Sequence, residues 1–326
     1  MNVLDDPIER LVKRIQADLI GGAADMAKEA ATAVADMVAH SVDQDSSALL
    51  AEYLRTVDKV IEVTPGVMPV VHVLHRIGNV WHQVPGKSAA ELRGEILQAV
   101  ANAIDEIDRA VTRVGLYGAH TLSNRARLFT YSISSSVFAM IREAVRDGKS
   151  ISVVTTESRP GNEGLQTLEA MKALDVPVTI GVDAALATLM KDCDSVYVGA
   201  DTITATGDAL CKIGSFSSAL AARHYGIPFR VAADVWKFDP STLKGIAPRP
   251  MQMPASDIVP EIPPDNTTVK NAVFELVPAR FIDSIISDQG VIPPPAAYAL
   301  MRQIPECPEV AERLMAARQP SRSEMA

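Results

Sequence analysis

Cysteine is scarce in this 326-residue chain. There are three, Cys193, Cys211 and Cys307, none in a Cys-x-x-Cys pair. An odd, widely spaced set excludes a disulfide framework and points to a reducing compartment. Long apolar runs are also missing: no uncharged stretch reaches the roughly 18 residues that span a bilayer. The opening MNVLDDPIERLVKRIQ is charged where a secretory signal carries an apolar core. A cytoplasmic protein without a membrane partner is expected. Positive charge is in deficit, with 31 Lys and Arg against 40 Asp and Glu and a net charge of −9. That field opposes a polyanion and excludes nucleic-acid binding by bulk charge, though not a local basic pocket. The glycine-rich and Walker-type nucleotide motifs are absent, as is H-E-x-x-H, so no cofactor and no metal are expected. His72 and His75 lie in an apolar segment and read as core or interface residues.

What is present is a globular composition, 48% hydrophobic and 22% charged, long enough for two domains. Asp6-Pro7 supplies a cap and a preset first residue for a helix carrying Ile8, Leu11, Val12, Ile15 and Leu19 at helical spacing, stopped at Gly21-Gly22. Helices are also predicted over 23–40, 46–63 and 87–114. After Gly115 the pattern changes. Short runs rich in β-branched residues at 128–131, 151–155, 178–181, 195–198 and 229–232 alternate with helical stretches at 134–146, 164–174, 184–190 and 215–224. That alternation is the signature of βαβ units and a parallel sheet. The expected fold class is α/β, an all-helical domain over 1–115 followed by a parallel-sheet domain over 116–326. Seven prolines between residues 240 and 264 predict a surface excursion or lid. A helix is expected again over 279–287, and the closing QPSRSEMA reads as a frayed tail.

In an open parallel sheet, ligands sit beyond the carboxyl ends of the strands, where helix N-termini offer N–H groups. The chemistry-bearing residues fall there. Tyr131, Ser132, Ser134, Ser135 and Ser136 follow the first run, and Arg159 follows the second within Glu-Ser-Arg-Pro-Gly. GADTITATGDALCKIGS, residues 199–215, follows the fourth, and Ala-Asp-Val-Trp-Lys237 the fifth. Arg159 and Lys212 suit a phosphate, as a bidentate fork and a point charge, or pair with carboxylates such as Glu157 or Asp201. Asp208 is either a general base with a burial-raised pKa or a helix cap before Lys212. Asp201 equally fits a turn. Ser134 and its neighbours either hold a phosphate or cap the helix they open. Ser132 as a nucleophile has no G-x-S-x-G elbow or nearby histidine behind it.

Thr155-Thr-Glu-Ser-Arg-Pro160, Gly199-Ala-Asp201, Thr206-Gly-Asp208, Lys212-Ile-Gly-Ser215, Gly226-Ile-Pro-Phe229, Trp236-Lys-Phe238 and Gly290-Val-Ile-Pro293 stand in one order. In this the chain resembles the translation initiation factor 2B alpha/beta/delta family, which includes ribose-1,5-bisphosphate isomerase and methylthioribose-1-phosphate isomerase. The resemblance implies a helical domain before a Rossmann-like domain, and a homodimer or higher homo-oligomer through the latter. It implies an aldose-to-ketose isomerisation that needs an acid and a base but no redox cofactor. The family's base matches Asp208, with Thr206 in place of an asparagine; its Asn-Lys matches Cys211-Lys212, and its arginine matches Arg159. Gly22-Ala23 resembles a phosphate-side element, whereas Thr64-Pro65 lacks the arginine of the corresponding loop. The isomerases' cysteine is replaced by Ser132, so Tyr131 or Cys211 would have to supply the acid. The resemblance leaves two readings. One is a sugar-phosphate isomerase; the other is a non-catalytic subunit that binds a phosphorylated sugar or nucleotide monophosphate and acts through subunit contacts.

Overall fold

The computed structural model describes residues 6–17, 22–41, 45–83, 86–248, 253–259, 261 and 266–319. It divides into two compact units. The first is drawn from Met1–Arg109, Asp239–Arg249 and Met301–Ala326, and the second from Ala110–Phe238 and Pro250–Leu300. No helix among the described residues is long and apolar enough to cross a membrane.

The first unit is helical. It contains α1 (Pro7–Ala17), α2 (Ala23–His40), α3 (Ser46–Val63), α4 (Met68–Gln83) and the start of α5 (Ala89–His120). Local chemistry sets the starts. The Ile8 N–H donates to Asp6 Oδ1 at 2.8 Å, Asp45 caps α3 through the Ala48 N–H, and Ser88 with Glu91 forms a reciprocal capping box before α5. The sequence reading assigned no element to α4, whose first two turns, Met68 to Leu74, are apolar apart from His72 and buried on every face. That is what a central helix looks like: Met68, Val70, Val71, Val73, Leu74 and Ile77 are wholly buried, and His72 and His75 are buried among them.

The division between the units falls between Arg109 and Ala110, and the helical unit also takes in Asp239–Arg249 and the stretch from Met301 on. Residues 239–241 belong to no surface excursion: Asp239, Pro240 and Ser241 are buried. The cause is Arg318, on α11 (Pro308–Arg318), counting helices in chain order. Its Nη1 donates to Asp239 Oδ2 at 2.5 Å and to Ser241 Oγ at 2.7 Å, and its Nε donates to the Pro65 carbonyl at 2.8 Å. Both charged side chains are fully enclosed. Further along, residues 255–258 are exposed, as an excursion requires. Most of the expected tail, 320–326, lies outside the described residues.

The second unit carries the α/β layer expected from the strand and helix alternation. Its strands are β1 (Arg127–Tyr131), β2 (Ser152–Thr156), β3 (Val178–Gly181), β4 (Ser195–Gly199), β5 (Thr202–Ile203), β6 (Ala209–Lys212), β7 (Phe229–Ala232), β8 (Phe274–Val277), β9 (Ser284–Ser287) and β10 (Gly290–Ile292). Seven form a sheet in the order β10-β9-β7-β4-β1-β2-β3, parallel except for β10 against β9. The intervening helices are α6 (Ser135–Arg146), α7 (Glu163–Ala173), α8 (Leu186–Met190) and α9 (Ser215–Tyr225), with α10 (Ala297–Met301) after the last strand. Leu128, Val137, Met140, Ile141, Val153, Met171 and Tyr197 make up much of the core.

The helix expected over 279–287 is instead a short 3-10 turn and then β9. Ile285 and Ile286 are fully buried and pair with Val231 and Ala232 of β7. A four-residue apolar run does not separate helix from strand by period alone. The segment read as a strand-end loop, 199–215, contains β5 and β6, which form a three-stranded antiparallel sheet with β8. α5 also runs past the predicted stop at 114. Gly115 and Gly118 are packing residues rather than breakers, since a β-carbon there would meet Ala139 at 3.0 Å and Met140 at 2.5 Å.

Removing one member of a fully buried ion pair strands the other. Arg318→Leu is expected to cost about 3–5 kcal/mol in urea unfolding followed by far-ultraviolet circular dichroism, and a second change, Asp239→Leu, to recover the larger part. Equal loss in the single and double variants would contradict this account.

Candidate active site

β1 and β4 are neighbours in the sheet, but the chain leaves β1 toward β2 and β3 and leaves β4 toward β7 and β9. Strand order therefore reverses between them, and in open parallel sheets ligands are taken up beyond the carboxyl ends of the strands at such a place. Ser132 and Ser134 follow β1 on one side of the reversal and Asp201 follows β4 on the other. Gly199 permits the approach, because a β-carbon there would lie 2.5 Å from Ser134 Oγ.

The loop after β2 is organised by Asp183, which the sequence reading did not single out. Its Oδ1 accepts from Thr156 Oγ1 at 2.6 Å and the Ser158 N–H at 2.9 Å, and its Oδ2 accepts from the Arg159 N–H at 2.7 Å. The Tyr131 hydroxyl also bonds to Asp183. Ser132 and Ser158 have left-handed backbones, φ 64° and 60°. Ser132 is fixed by its N–H to Ser158 Oγ at 2.9 Å and by its carbonyl, which accepts from Thr167 Oγ1 at 2.8 Å. The exposed Arg159 donates to the Asp257 carbonyl at 3.1 Å and makes no ion pair among the described residues, so the pairing with Glu157 is not formed.

Charge is concentrated at the ends of β4, β6 and β7. Lys212 is buried and paired with Glu163 at the start of α7, another residue the sequence reading passed over. The second oxygen of Glu163, Oε2, has no hydrogen-bond partner. Lys237 Nζ lies 3.9 Å from Asp234 Oδ2; both residues are buried, and that oxygen has the lysine charge beside it but no hydrogen bond. Burial pushes the Asp234 carboxyl up against the opposing pull of Lys237. Half-buried Asp201 has its carboxyl raised to about 6, first by desolvation, with Lys237 and Lys212 pulling it down and Glu163 pushing it up. Such an arrangement offers two ammonium groups to an anion, two carboxylate oxygens without hydrogen bonds to hydroxyl donors, and a carboxyl raised to about 6.

Asp208, read from the sequence as a base or a helix cap, has both oxygens engaged. Oδ1 accepts from the Ala279 N–H at 2.7 Å and Oδ2 from Thr206 Oγ1 at 2.7 Å. It closes the turn 204–208, and the next element is the strand β6 rather than a helix. Cys211 is wholly buried in β6, on the opposite face from Lys212 by strand alternation, and burial together with the Asp201 charge pushes its thiol well above the ordinary range. Tyr131 is buried and its hydroxyl is pushed far up, first by desolvation and then by Asp183. Ser134 caps α6, its Oγ accepting from the Val137 N–H at 3.3 Å. The N-terminus of α9 is filled by Glu275, whose Oε1 accepts from the Gly214 and Phe216 N–H groups at 2.6 and 2.9 Å. In the helical unit, Gly22 and Ala23 open α2, the Gly22 carbonyl accepting from Asp25 and Met26.

A family model described as the initiation factor 2 subunit family matches residues 19–294. A ribose 1,5-bisphosphate isomerase of Haloferax volcanii is 31% identical over 315 residues, covering 92% of this chain and 94% of its own. A methylthioribose-1-phosphate isomerase of Maridesulfovibrio salexigens is 30% identical over 273 residues, 77% of each chain. Among solved structures, the translation initiation factor eIF-2B of Pyrococcus horikoshii superposes with a TM-score of 0.75 at 25% identity, covering 91% of this chain and 98% of that one.

Gly214, at φ 103°, presses on the site: a β-carbon there would lie 2.4 Å from Tyr131 Oη. Gly226, at φ 68°, has nothing within 4 Å. Gly214→Ala is therefore expected to lower stability by about 1–3 kcal/mol more than Gly226→Ala, which carries backbone strain alone. Equal losses in thermal unfolding would contradict the contact with Tyr131.

Proposed function

The chain belongs to the initiation factor 2 subunit family, and we propose that it is an aldose–ketose isomerase acting on a pentose phosphorylated at its anomeric oxygen, with ribose 1,5-bisphosphate the first candidate. The observation that carries this reading is Asp201, a carboxyl held near neutrality at the strand-order reversal under the field of Lys212 and Lys237. In such a substrate the phosphate on the anomeric oxygen prevents a free aldehyde from forming by ring opening. An acid protonates the ring oxygen as its bond to C1 breaks. The C2 hydrogen passes to C1 with its electron pair, and a base takes the proton of the C2 hydroxyl, leaving a ketone. One acid and one base balance the reaction without a redox cofactor.

Asp201 suits the base, because a pKa near the working pH combines the ionised form with real proton affinity. Asp208 suits it less, since accepting a substrate proton would break the turn its oxygens hold. Tyr131, protonated throughout the physiological range, is the acid we favour, with Cys211 the alternative and Ser132 beside it as a hydrogen-bonding group. Arg159, Lys212 and Lys237 supply charge to phosphate, and Ser134 supplies a hydroxyl on the β1 side. A phosphate contact through Gly22 and Ala23 rests on the family likeness. Family membership likewise supports assembly as a homo-oligomer through the sheet-bearing part. The second reading, a ligand-binding regulatory subunit, is favoured by what the family likeness implies, a cysteine in the isomerases at the place of Ser132.

Phosphorus NMR on ribose 1,5-bisphosphate, ribose 1-phosphate and methylthioribose 1-phosphate tests this reading. Conversion is expected with the native chain, a loss of about 100-fold or more with Asp201→Asn, and most of the rate retained with Asp208→Asn. Turnover should rise with pH through about 6 as Asp201 loses its proton. Full activity of Tyr131→Phe would move the acid to Cys211, and Cys211→Ser tests that in turn. An inert Asp208→Asn beside an active Asp201→Asn would overturn the base assignment, and line broadening without conversion would favour the regulatory reading.

A further inference from the structure

The helical unit gathers three side chains of metal-ligand type far from any sequence motif. His82 lies in the last turn of α4, Cys307 immediately precedes α11, and Glu309 is in its first turn. His82 Nε2 is 2.9 Å from Glu309 Oε2, and Cys307 Sγ is 3.1 Å from the same oxygen. One donor atom from each residue falls within 4.8 Å of the other two, the only such grouping of His, Cys and acidic residues among the described residues.

The surroundings place the sulfur specifically. Gly78 sits one helical turn before His82, and a β-carbon there would lie 2.7 Å from Cys307 Sγ, so the glycine lets the sulfur rest against α4. The Cys307 N–H donates to His75 Nδ1 at 2.9 Å, which holds the cysteine backbone. Burial first, and the Glu309 carboxylate after it, push the Cys307 thiol up to about 11 against the N–H groups of Val310 and Glu309, so the sulfur carries its proton until an ion displaces it. Cys307 is buried while His82 is about half exposed, so one side of the cluster is open to solvent. Thiolate, imidazole and carboxylate together are the donor set of a borderline divalent ion rather than of magnesium or calcium. Zinc bonds of about 2.0–2.3 Å put neighbouring tetrahedral ligand atoms about 3.3–3.7 Å apart. The two separations from Glu309 Oε2, 2.9 and 3.1 Å, are a few tenths of an ångström shorter, so binding an ion needs only a small outward shift of these side chains.

We propose that His82 Nε2, Cys307 Sγ and a Glu309 carboxylate oxygen bind one Zn²⁺, with a water in the fourth position. The thiol proton leaves to solvent as the zinc–sulfur bond forms, with no change of oxidation state. The ion ties the end of α4 to the start of α11.

The test uses the full chain, freed of metal by a chelator and titrated with Co²⁺ and then Zn²⁺. One equivalent of Co²⁺ is expected to produce a thiolate-to-cobalt charge-transfer band in the near ultraviolet that Zn²⁺ abolishes. Cys307→Ser should lose the band and weaken Zn²⁺ binding by at least about tenfold. His82→Gln, at an exposed position, keeps the test decisive should Cys307→Ser misfold, and should weaken binding comparably. Zn²⁺ should raise the melting temperature of the native chain and not of either variant. Absence of the cobalt band, or Zn²⁺ binding unchanged in the folded variants, would overturn the proposal.

Discussion

The reversal of strand order between β1 and β4 is the constraint on which the rest of this molecule's chemistry depends. Parallel strands all end on the same edge, and where successive connections leave in opposite directions the covering helices part. Side chains separated by tens of residues then share that edge. Ser132, Arg159, Asp201 and Lys237 each come after a different strand, and none would meet another without the common edge. Small residues make the edge usable: Gly199 and Gly214 let Ser134 and Tyr131 come closer than any β-carbon would permit.

At that edge buried charges are balanced against one another. Lys212 and Lys237 are each given a carboxylate, Glu163 and Asp234, and a third carboxyl, Asp201, is left to share both fields. Desolvation of unpaired carboxylates raises their proton affinity, while the lysines keep the rise within reach of neutral pH. The same crowding leaves Glu163 Oε2 and Asp234 Oδ2 buried without hydrogen bonds. Asp208 illustrates the contrast: one of its oxygens accepts within its own turn and the other from the Ala279 N–H, so both are already engaged.

The helical unit is held by a different use of charge. Arg318 and Asp239 lie fully enclosed and draw two late segments of the chain back among the early helices. Local sequence carries no trace of this partnership, because it joins residues 79 positions apart whose immediate neighbours read as a proline-rich loop and a terminal helix. The grouping of His82 with Cys307 and Glu309 is hidden for the same reason, with 227 positions between His82 and Glu309.

The sequence by itself determined the α/β class, the order of helical part before sheet part, the five strands at 128–131, 151–155, 178–181, 195–198 and 229–232, and the sheet edge at which the polar strand-end residues gather. Periodicity and turn residues are local properties, and the family's strand-end motifs are short and contiguous. Tertiary structure decided two further elements: α4, whose first two turns are buried on every face, and β9, whose two isoleucines fit either helix or strand until they pair with β7. It decided which polar residues meet, Glu163 with Lys212, Asp183 with Tyr131 and the β2 loop, Glu275 with the start of α9. It also separated Asp201 from Asp208, two aspartates seven positions apart in one motif-rich segment. Burial and the direction of neighbouring charges distinguish them, and both exist only once the strands have been brought to a common edge.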